Sequence, residues 1–344
     1  MSARTRYALE RLLLTIPTLL AMSLFVFLLI RLVPGDPVRT MLGFRATPAN
    51  VATIRHQLHL DEPLPTQYIA WMGALLHGDL GRDYISHAPL SQLLGEALPV
   101  TLELTLLAMA LALAVGLPLG VLAATGRGPV RRLTDGFVIA GVSIPDFWLG
   151  TLLVLLFAAT LEWLPPSGYV PFTSDPVANL RYMALPVLTL AVGEAAYILR
   201  TTRGTMEETL GAPFVTFLRA KGLPERAIVF RHALRNASVP IVTVVGIQFG
   251  VLLGGAIVIE TLFGLPGVGR LTVTAINQRN YTVVQGSVLV IATMFLGVCY
   301  HAYSRYSEIH TGKATWGQFG LTVAVGAVLL VVGIWLLTKA TGVL

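Results

Sequence analysis

The chain has 344 residues, 55% hydrophobic and only 12% charged, with a mean hydropathy of +0.73. A soluble domain carries about 25% charged residues, and disorder needs low hydrophobicity with high charge, so a water-soluble globule and a disordered chain are both excluded. The net charge of +6 comes from cations, nearly all arginine, lying between long apolar runs; positive-inside topology explains that placement, whereas a nucleic-acid site needs cations clustered among aromatics.

The runs fall at 12–30, 98–123, 137–161, 184–199, 240–263, 283–300 and 319–337. A bilayer core of roughly 30 Å demands about 20 apolar residues of a helix, so the pattern predicts an all-α polytopic membrane protein. The first run exceeds the apolar stretch of a signal peptide and no small-x-small cleavage site follows it, which predicts a retained span. Pro145-Asp146 in the third run predicts a kink or a start at depth. The fourth is short and holds Glu194, but borrows 180–183 to reach spanning length. Pro17, Gly116, Pro118, Gly254 and Gly255 permit bends and close helix approach. With the N-terminus inside, the cations near the spans concentrate in the cytoplasmic segments, which predicts that orientation. The lone cysteine, Cys299, excludes an intrachain disulfide and reads as a small buried residue.

Two polar segments are long enough to hold structure. The outer one, 33–97, carries turn and cap signals at Pro34-Gly-Asp-Pro37, Thr47-Pro48 and Gly78-Asp-Leu-Gly81, with a short surface helix expected over 51–60. His56, His59 and Asp61 there read as a solvated face, because no third metal ligand is placed. No phosphate-cradling loop is encoded: Gly312-Lys313 lacks the preceding glycine and the hydroxyl residue. No His-Glu-x-x-His or Gly-x-Ser-x-Gly occurs either, so nothing proposes catalysis.

Three acids lie in or at the ends of runs: Glu103, Glu194 and Glu260. A charge at the helix centre costs about 2.5–3.5 kcal/mol on the insertion scale, so such groups face protein or water. Glu103 and Glu260 sit near outer helix ends and are expected to make helix-end or interhelical hydrogen bonds. For Glu194 a substrate or proton pathway and a structural bond stay equally open.

The inner segment, 200–239, contains Phe214-Val-Thr-Phe-Leu-Arg-Ala-Lys-Gly222-Leu-Pro224, followed by Arg226, Arg231 and Arg235. Gly222 suits a helix stop and Pro224 the first turn of a second short helix, with Ala227, Ile228, Phe230, Ala233 and Leu234 as its apolar stripe. Two amphipathic helices at a glycine bend could dock into another protein's groove or lie on lipid phosphates.

Arg219-Ala-Lys-Gly222-Leu, Arg231-His-Ala-Leu-Arg-Asn236-Ala and Pro240 resemble the cytoplasmic EAA loop of binding-protein-dependent ABC importer permeases, in the dipeptide, oligopeptide and nickel branch. Arg31-Leu-Val-Pro-Gly-Asp-Pro37, Gly78-Asp-Leu-Gly81, Leu98-Pro99 with Thr101-Leu-Glu103, Ile144-Pro-Asp-Phe-Trp-Leu-Gly150, Gln248-Phe-Gly250, Glu260-Thr261 and Pro266-Gly-Val-Gly-Arg-Leu271 are similar to the same family, in order, to about residue 290. The resemblance implies a six-span permease core in a bacterial inner membrane that moves di- or oligopeptides, or a nickel chelate, into the cytoplasm by alternating access. It implies that Thr216, Phe217, Leu218, Arg219, Ala220, Lys221, Gly222 and Leu223 form the coupling helix to a separate ATPase subunit. ATP and Mg would then reside on that partner, with no cofactor on this chain. A homologous second permease, two ATP-binding subunits and an extracytoplasmic solute-binding protein are the implied protein partners, with membrane lipid around them and no nucleic acid. Glu194, Gln248, Gly254 and Gly255 are the candidate pathway residues.

Phe217-Leu218 and Pro213 depart from the family's usual Thr-Ala and aspartate, and the end departs further. After about Ile291 comes a polar stretch, 302–317, and then the seventh run, resembling small membrane proteins of integrative conjugative elements. The expected organisation is therefore a first span and periplasmic loop over 1–97, a permease core over 98–300 and an atypical tail over 301–344. A proton-coupled carrier using Glu194 and a transport-defective fusion product are the alternatives.

Overall fold

The computed structural model describes residues 17, 20–28, 36–43, 46–57, 59–126 and 128–294. The seventh run, Cys299, the polar tail with Gly312-Lys313, the N-terminal arginines and most of the Arg31–Pro37 motif lie outside the described residues. Among those described there is no β-strand, only an isolated antiparallel bridge between Arg82 and Pro89. The chain divides into two compact units, one holding the residues up to Leu98 with Arg270–Met294, the other Pro99–Gly269.

In the first unit, α1 (20–28) is followed by α2 (Pro37–Leu42), α3 (Pro48–Gln57) and α4 (Leu64–Leu76). The helix expected over 51–60 is α3, which starts earlier: the Thr47 hydroxyl accepts from Asn50 N–H at 3.3 Å, and Pro48 has the φ that a first helical position needs. Phe27 on α1 packs edge-on against Tyr68 at 5.2 Å and stacks on Trp71 at 6.1 Å, while Ser23 and Tyr68 hydroxyls bond at 2.8 Å. The Gly78–Gly81 turn leads into a polar knot. Asp83 accepts from Ile85 N–H at 2.9 Å, Ser86 N–H at 3.2 Å, the Ser86 hydroxyl and the Asn280 amide. Burial pushes the Asp83 carboxyl up, but those hydrogen bonds outweigh it and hold it below the ordinary value of 3.8. Gly81 has φ +84, and a Cβ there would meet the Thr282 side chain. The unit closes with α13 (Tyr281–Met294).

Helix α5 (Leu90–Thr125) has 36 residues, about 54 Å at 1.5 Å per residue, well beyond the bilayer core. Alongside it in the second unit are α6 (Pro129–Ser143), α7 (Asp146–Leu153) with a π-helical continuation (Val154–Thr160), and α8 (Pro176–Leu210). Then come α9 (Pro213–Ala220), α10 (Glu225–Ala227) with a π-turn (Ile228–Ala233), and α11 (Leu234–Phe263), which leads to α12 (Val268–Asn277). Among the described residues three helical stretches are long and apolar enough to cross a membrane: Leu90–Thr125, Pro176–Leu210 and Glu225–Gly254. The third apolar run is two helices, Pro129–Ser143 and Asp146–Thr160, meeting at 102°. Its kink is sharp because Ile144 and Pro145 leave the helix: Pro145 has no N–H to donate, and a residue before proline is driven to extended backbone.

Helix α8 is the axis of this unit, packing on α6, α7 and α11. Its approach to α5 runs through glycine. A Cβ on Gly116 would stand 2.6 Å from the Ala195 carbonyl oxygen, and one on Gly120 2.5 Å from Thr202 Cβ. Gly116-x-x-x-Gly120 is therefore a small-residue seam that lets two backbones touch, the main source of helix attraction where lipid removes the hydrophobic drive. Gly141 on α6 repeats the device against Ala196. Below the seam, Val121, Met206, Val229, Ala233, Ala237 and Ile241 form an apolar cluster joining α5, α8, the second π-turn and α11.

Glu260 makes an expected interhelical bond, while Glu103 is bonded from the loop before α8. Thr101 on α5 donates to Glu260 Oε1 at 2.6 Å and accepts from Val268 N–H at 2.9 Å. Tyr169 donates to Glu103 Oε2 at 2.9 Å. Burial, with the Glu103 carboxylate beside it, pushes the Tyr169 phenol up to about 12.

Candidate functional site

The elbow between α8 and α11 is built from short-range signals. Helix α8 ends at Leu210, and Pro213 opens α9, its fixed φ suiting a first helical position. The helix stops in a paired cap: Gly222 N–H donates to Arg219 O at 2.9 Å and Leu223 N–H to Leu218 O at 3.3 Å. That pattern needs a left-handed residue, and Gly222 has φ +78. The helix stop predicted at Gly222 is present. The predicted extent is corrected: the helix covers Pro213–Ala220, so Thr216, Phe217, Leu218, Arg219 and Ala220 are helical while Lys221, Gly222 and Leu223 are its cap. The helix begins sooner because Pro213, where the family usually has aspartate, fits its first position.

The second short helix is also corrected. Pro224 caps α10 from outside, and α10 continues through the π-turn into α11, so this element is the base of a long span, Glu225–Gly254. The predicted stripe fails at one place for a register reason. The wider π-turn brings Ile228, Val229 and Ala233 into the core and leaves Phe230 57% exposed, whereas 3.6-residue periodicity placed Phe230 inside and passed over Val229.

What α9 presents follows from its neighbours. Val215 is fully buried, anchoring the helix, while Phe214 and Phe217 are 38% and 58% exposed. Lys221 Nζ lies 4.6 Å above the Phe217 ring, a contact of cation–π geometry. Arg219 grips Glu225 in a two-pronged ion pair, 2.7 Å and 3.3 Å, that braces the turn. Both partners are exposed, so the pair fixes shape more than stability. Behind the elbow, Arg203 on α8 bonds Asp135 on α6 and Glu207 one turn on, and Arg131 approaches Glu207 at 3.7 Å. Charge counting assigned these arginines to topology and missed the network, since i,i+4 spacing reveals Arg203–Glu207 but not its partner on another helix.

The candidate pathway residues divide. Gln248 Nε2 on α11 donates to Glu194 Oε2 on α8 at 3.0 Å, so these two meet inside the helix bundle. Asp146, the first residue of α7, was missed; a Cβ on Gly193 would lie 3.3 Å from its Oδ1, and its carboxylate is close enough to interact electrostatically with Glu194. Gly254 does not join them. Six residues past Gln248 at about 100° each, it lies on another side of α11, with open space where a Cβ would project. Gly255 is in the same helix, and its surroundings lie outside the described residues. Among the described residues no group of three or more metal-ligating side chains occurs, His56, His59 and Asp61 included.

The sequence matches the family model described as "Binding-protein-dependent transport system inner membrane component" over residues 116–310, and its N-terminal counterpart over 4–105. It is 41% identical over 295 residues, 86% of this chain and 94% of the other, to a Brucella suis protein provisionally named a peptide transport system permease. It is 39% identical over 291 residues, 84% of this chain and 92% of the other, to the glutathione transport system permease protein GsiC of Salmonella typhimurium. Among solved structures, the inward-facing MetNI methionine ABC transporter aligns with a TM-score of 0.50 at 19% identity, covering 65% of this chain and 97% of that one; that likeness speaks for the fold alone.

Proposed function

Because the chain belongs to the inner membrane components of binding-protein-dependent transport systems, the permeases of ABC importers, we propose that it is the membrane subunit of an ATP-driven importer of di- or oligopeptides. The names of its Brucella and Salmonella relatives, which specify peptide and glutathione transport, support the peptide class. ATP and Mg are held by two separate subunits, a homologous permease completes the pathway, and an extracytoplasmic binding protein delivers the solute. The N-terminus faces the cytoplasm, as does the elbow.

The observation that carries the reading is the paired exposure of Phe214 and Phe217 on a helix anchored only by Val215. A short, capped helix with two aromatic rings in solvent is the helix-in-groove mode of docking, and aromatics are the residues that dominate such contacts. ATP closing the ATPase pair would then displace the elbow, and binding energy that differs between inward- and outward-open states drives the change. Glu194 and Gln248 supply a polar station on the pathway, with Asp146 beside them.

The test is uptake into vesicles holding the purified complex. Peptide accumulation that follows ATP and vanishes when Phe217→Asp releases the ATPase subunits supports the reading. Accumulation that follows a proton gradient without ATP refutes it.

A further inference from the structure

At the end of α8 opposite the elbow, a cleft of about 340 Å³ opens between the end of the first π-helix, the loop after it and the first turns of α8. Glu162, Trp163, Leu164, Pro165, Arg181 and Tyr182 line it. The volume lies in the range of small-molecule sites, about 300–1,000 Å³. Nothing in the transport reading uses this cleft.

Its two charged groups face a common space without pairing. Neither Glu162 nor Arg181 forms an ion pair with a described residue, and Arg181 makes only a long hydrogen bond, 3.4 Å, to the Trp163 carbonyl. Glu162 is held in place at a cost. Its φ is +53, the left-handed region that glycine fills freely and glutamate does not. The strain persists because Trp163 and Leu164 N–H both donate to Phe157 O, at 2.9 and 3.2 Å, wrapping the loop over the π-helix end. The Phe157 ring then holds Trp163 at 6.0 Å. Strained backbone of this kind concentrates where a side chain must be aimed.

The surroundings are those of a membrane interface. Trp163 is 62% exposed, as in the aromatic belts at headgroup level. Leu155 and Leu156 on the first π-helix, and Val177 and Leu180 in the first turns of α8, are exposed apolar side chains on the two elements that form the cleft. A ligand that fits must carry a cation for Glu162, an anion for Arg181 and an apolar body.

We propose that this cleft binds the headgroup of an ethanolamine phospholipid, the ammonium donating to Glu162, the phosphate accepting from Arg181, and the acyl chains lying along the exposed Leu155 and Leu156. Charge complementarity selects this occupant: Glu162 accepts hydrogen bonds, a primary ammonium donates three, and a quaternary one donates none. The inference does not depend on which solute the importer moves.

The test uses the full chain in complex with its partner subunits, purified into detergent and exchanged with defined lipids, with retained lipid read by native mass spectrometry. The expected result is retention of phosphatidylethanolamine several-fold above phosphatidylcholine of the same chains, declining stepwise through the mono- and dimethylated headgroups. Glu162→Gln abolishes that preference, and Arg181→Gln lowers retention of all the phospholipids in the series. Equal retention across the methylation series by the unaltered complex overturns the proposal without recourse to variants. So does displacement of the lipid by a free dipeptide, which would make the cleft a solute site.

Discussion

Replacing Thr101 by valine removes one hydroxyl while keeping the side chain's shape. That hydroxyl donates to Glu260 Oε1 at 2.6 Å and accepts from Val268 N–H at 2.9 Å, and Glu260 and Thr101 are 0% and 3% exposed. An average interhelical hydrogen bond in a membrane protein contributes only about 0.6 kcal/mol, because the unfolded chain in the membrane finds other partners. A bond to a carboxylate in a dry site contributes about 1.5–3 kcal/mol. Two bonds meet here on one oxygen, and Gly267 and Gly269 crowd the carboxylate so closely that there is little room for a replacement. The larger figure therefore applies, and Thr101→Val is expected to cost about 2–3 kcal/mol, roughly a 30- to 150-fold loss in the folding equilibrium. Thr101→Ser keeps the hydroxyl and loses one methyl, about 0.8 kcal/mol. Reversible unfolding in mixed detergent micelles measures both, and the valine cost should shrink in a Glu260→Gln background. Valine and serine variants that agree within about 0.5 kcal/mol would refute the assignment of a latch to this hydroxyl.

Four other perturbations probe separate parts of the molecule. Gly120→Val should destabilise by about 1–3 kcal/mol through overpacking against Thr202, read by the same unfolding assay, while Gly254→Val, with open space around it, should not. Phe217→Asp should release the ATPase subunits in a pull-down and leave membrane insertion intact; loss of insertion would make the elbow structural. Gly222→Val should weaken the same association by straining the left-handed cap, about 1–2 kcal/mol, whereas Gly222→Asn should be milder, since asparagine tolerates that backbone. The Asp83 carboxyl is held below its ordinary 3.8 in the folded chain. The stability it contributes is complete above that value and is lost as pH falls through its folded value, so melting curves should separate the native chain from Asp83→Asn above about pH 4 and converge as the pH falls below it.

The sequence alone determined what depends on neighbours along the chain. Run length and charge placement set the helical membrane class, proline at 145 broke the third run, and glycine at 222 stopped α9 because few other residues accept its φ of +78. Those constraints act within a turn or two, so local chemistry decides them. Only the tertiary structure decided which distant polar groups meet. Thr101 finds Glu260 across 159 positions and Asp83 finds Asn280 across 197, and no periodicity encodes such partners. The π-turn that exposes Phe230 was equally invisible, since it depends on the packing of α8, α5 and α11 around it. Hydropathy specifies that a helix is buried in lipid or protein; which face meets which partner is settled by close packing of glycine seams and by the need of each buried polar atom for a bond.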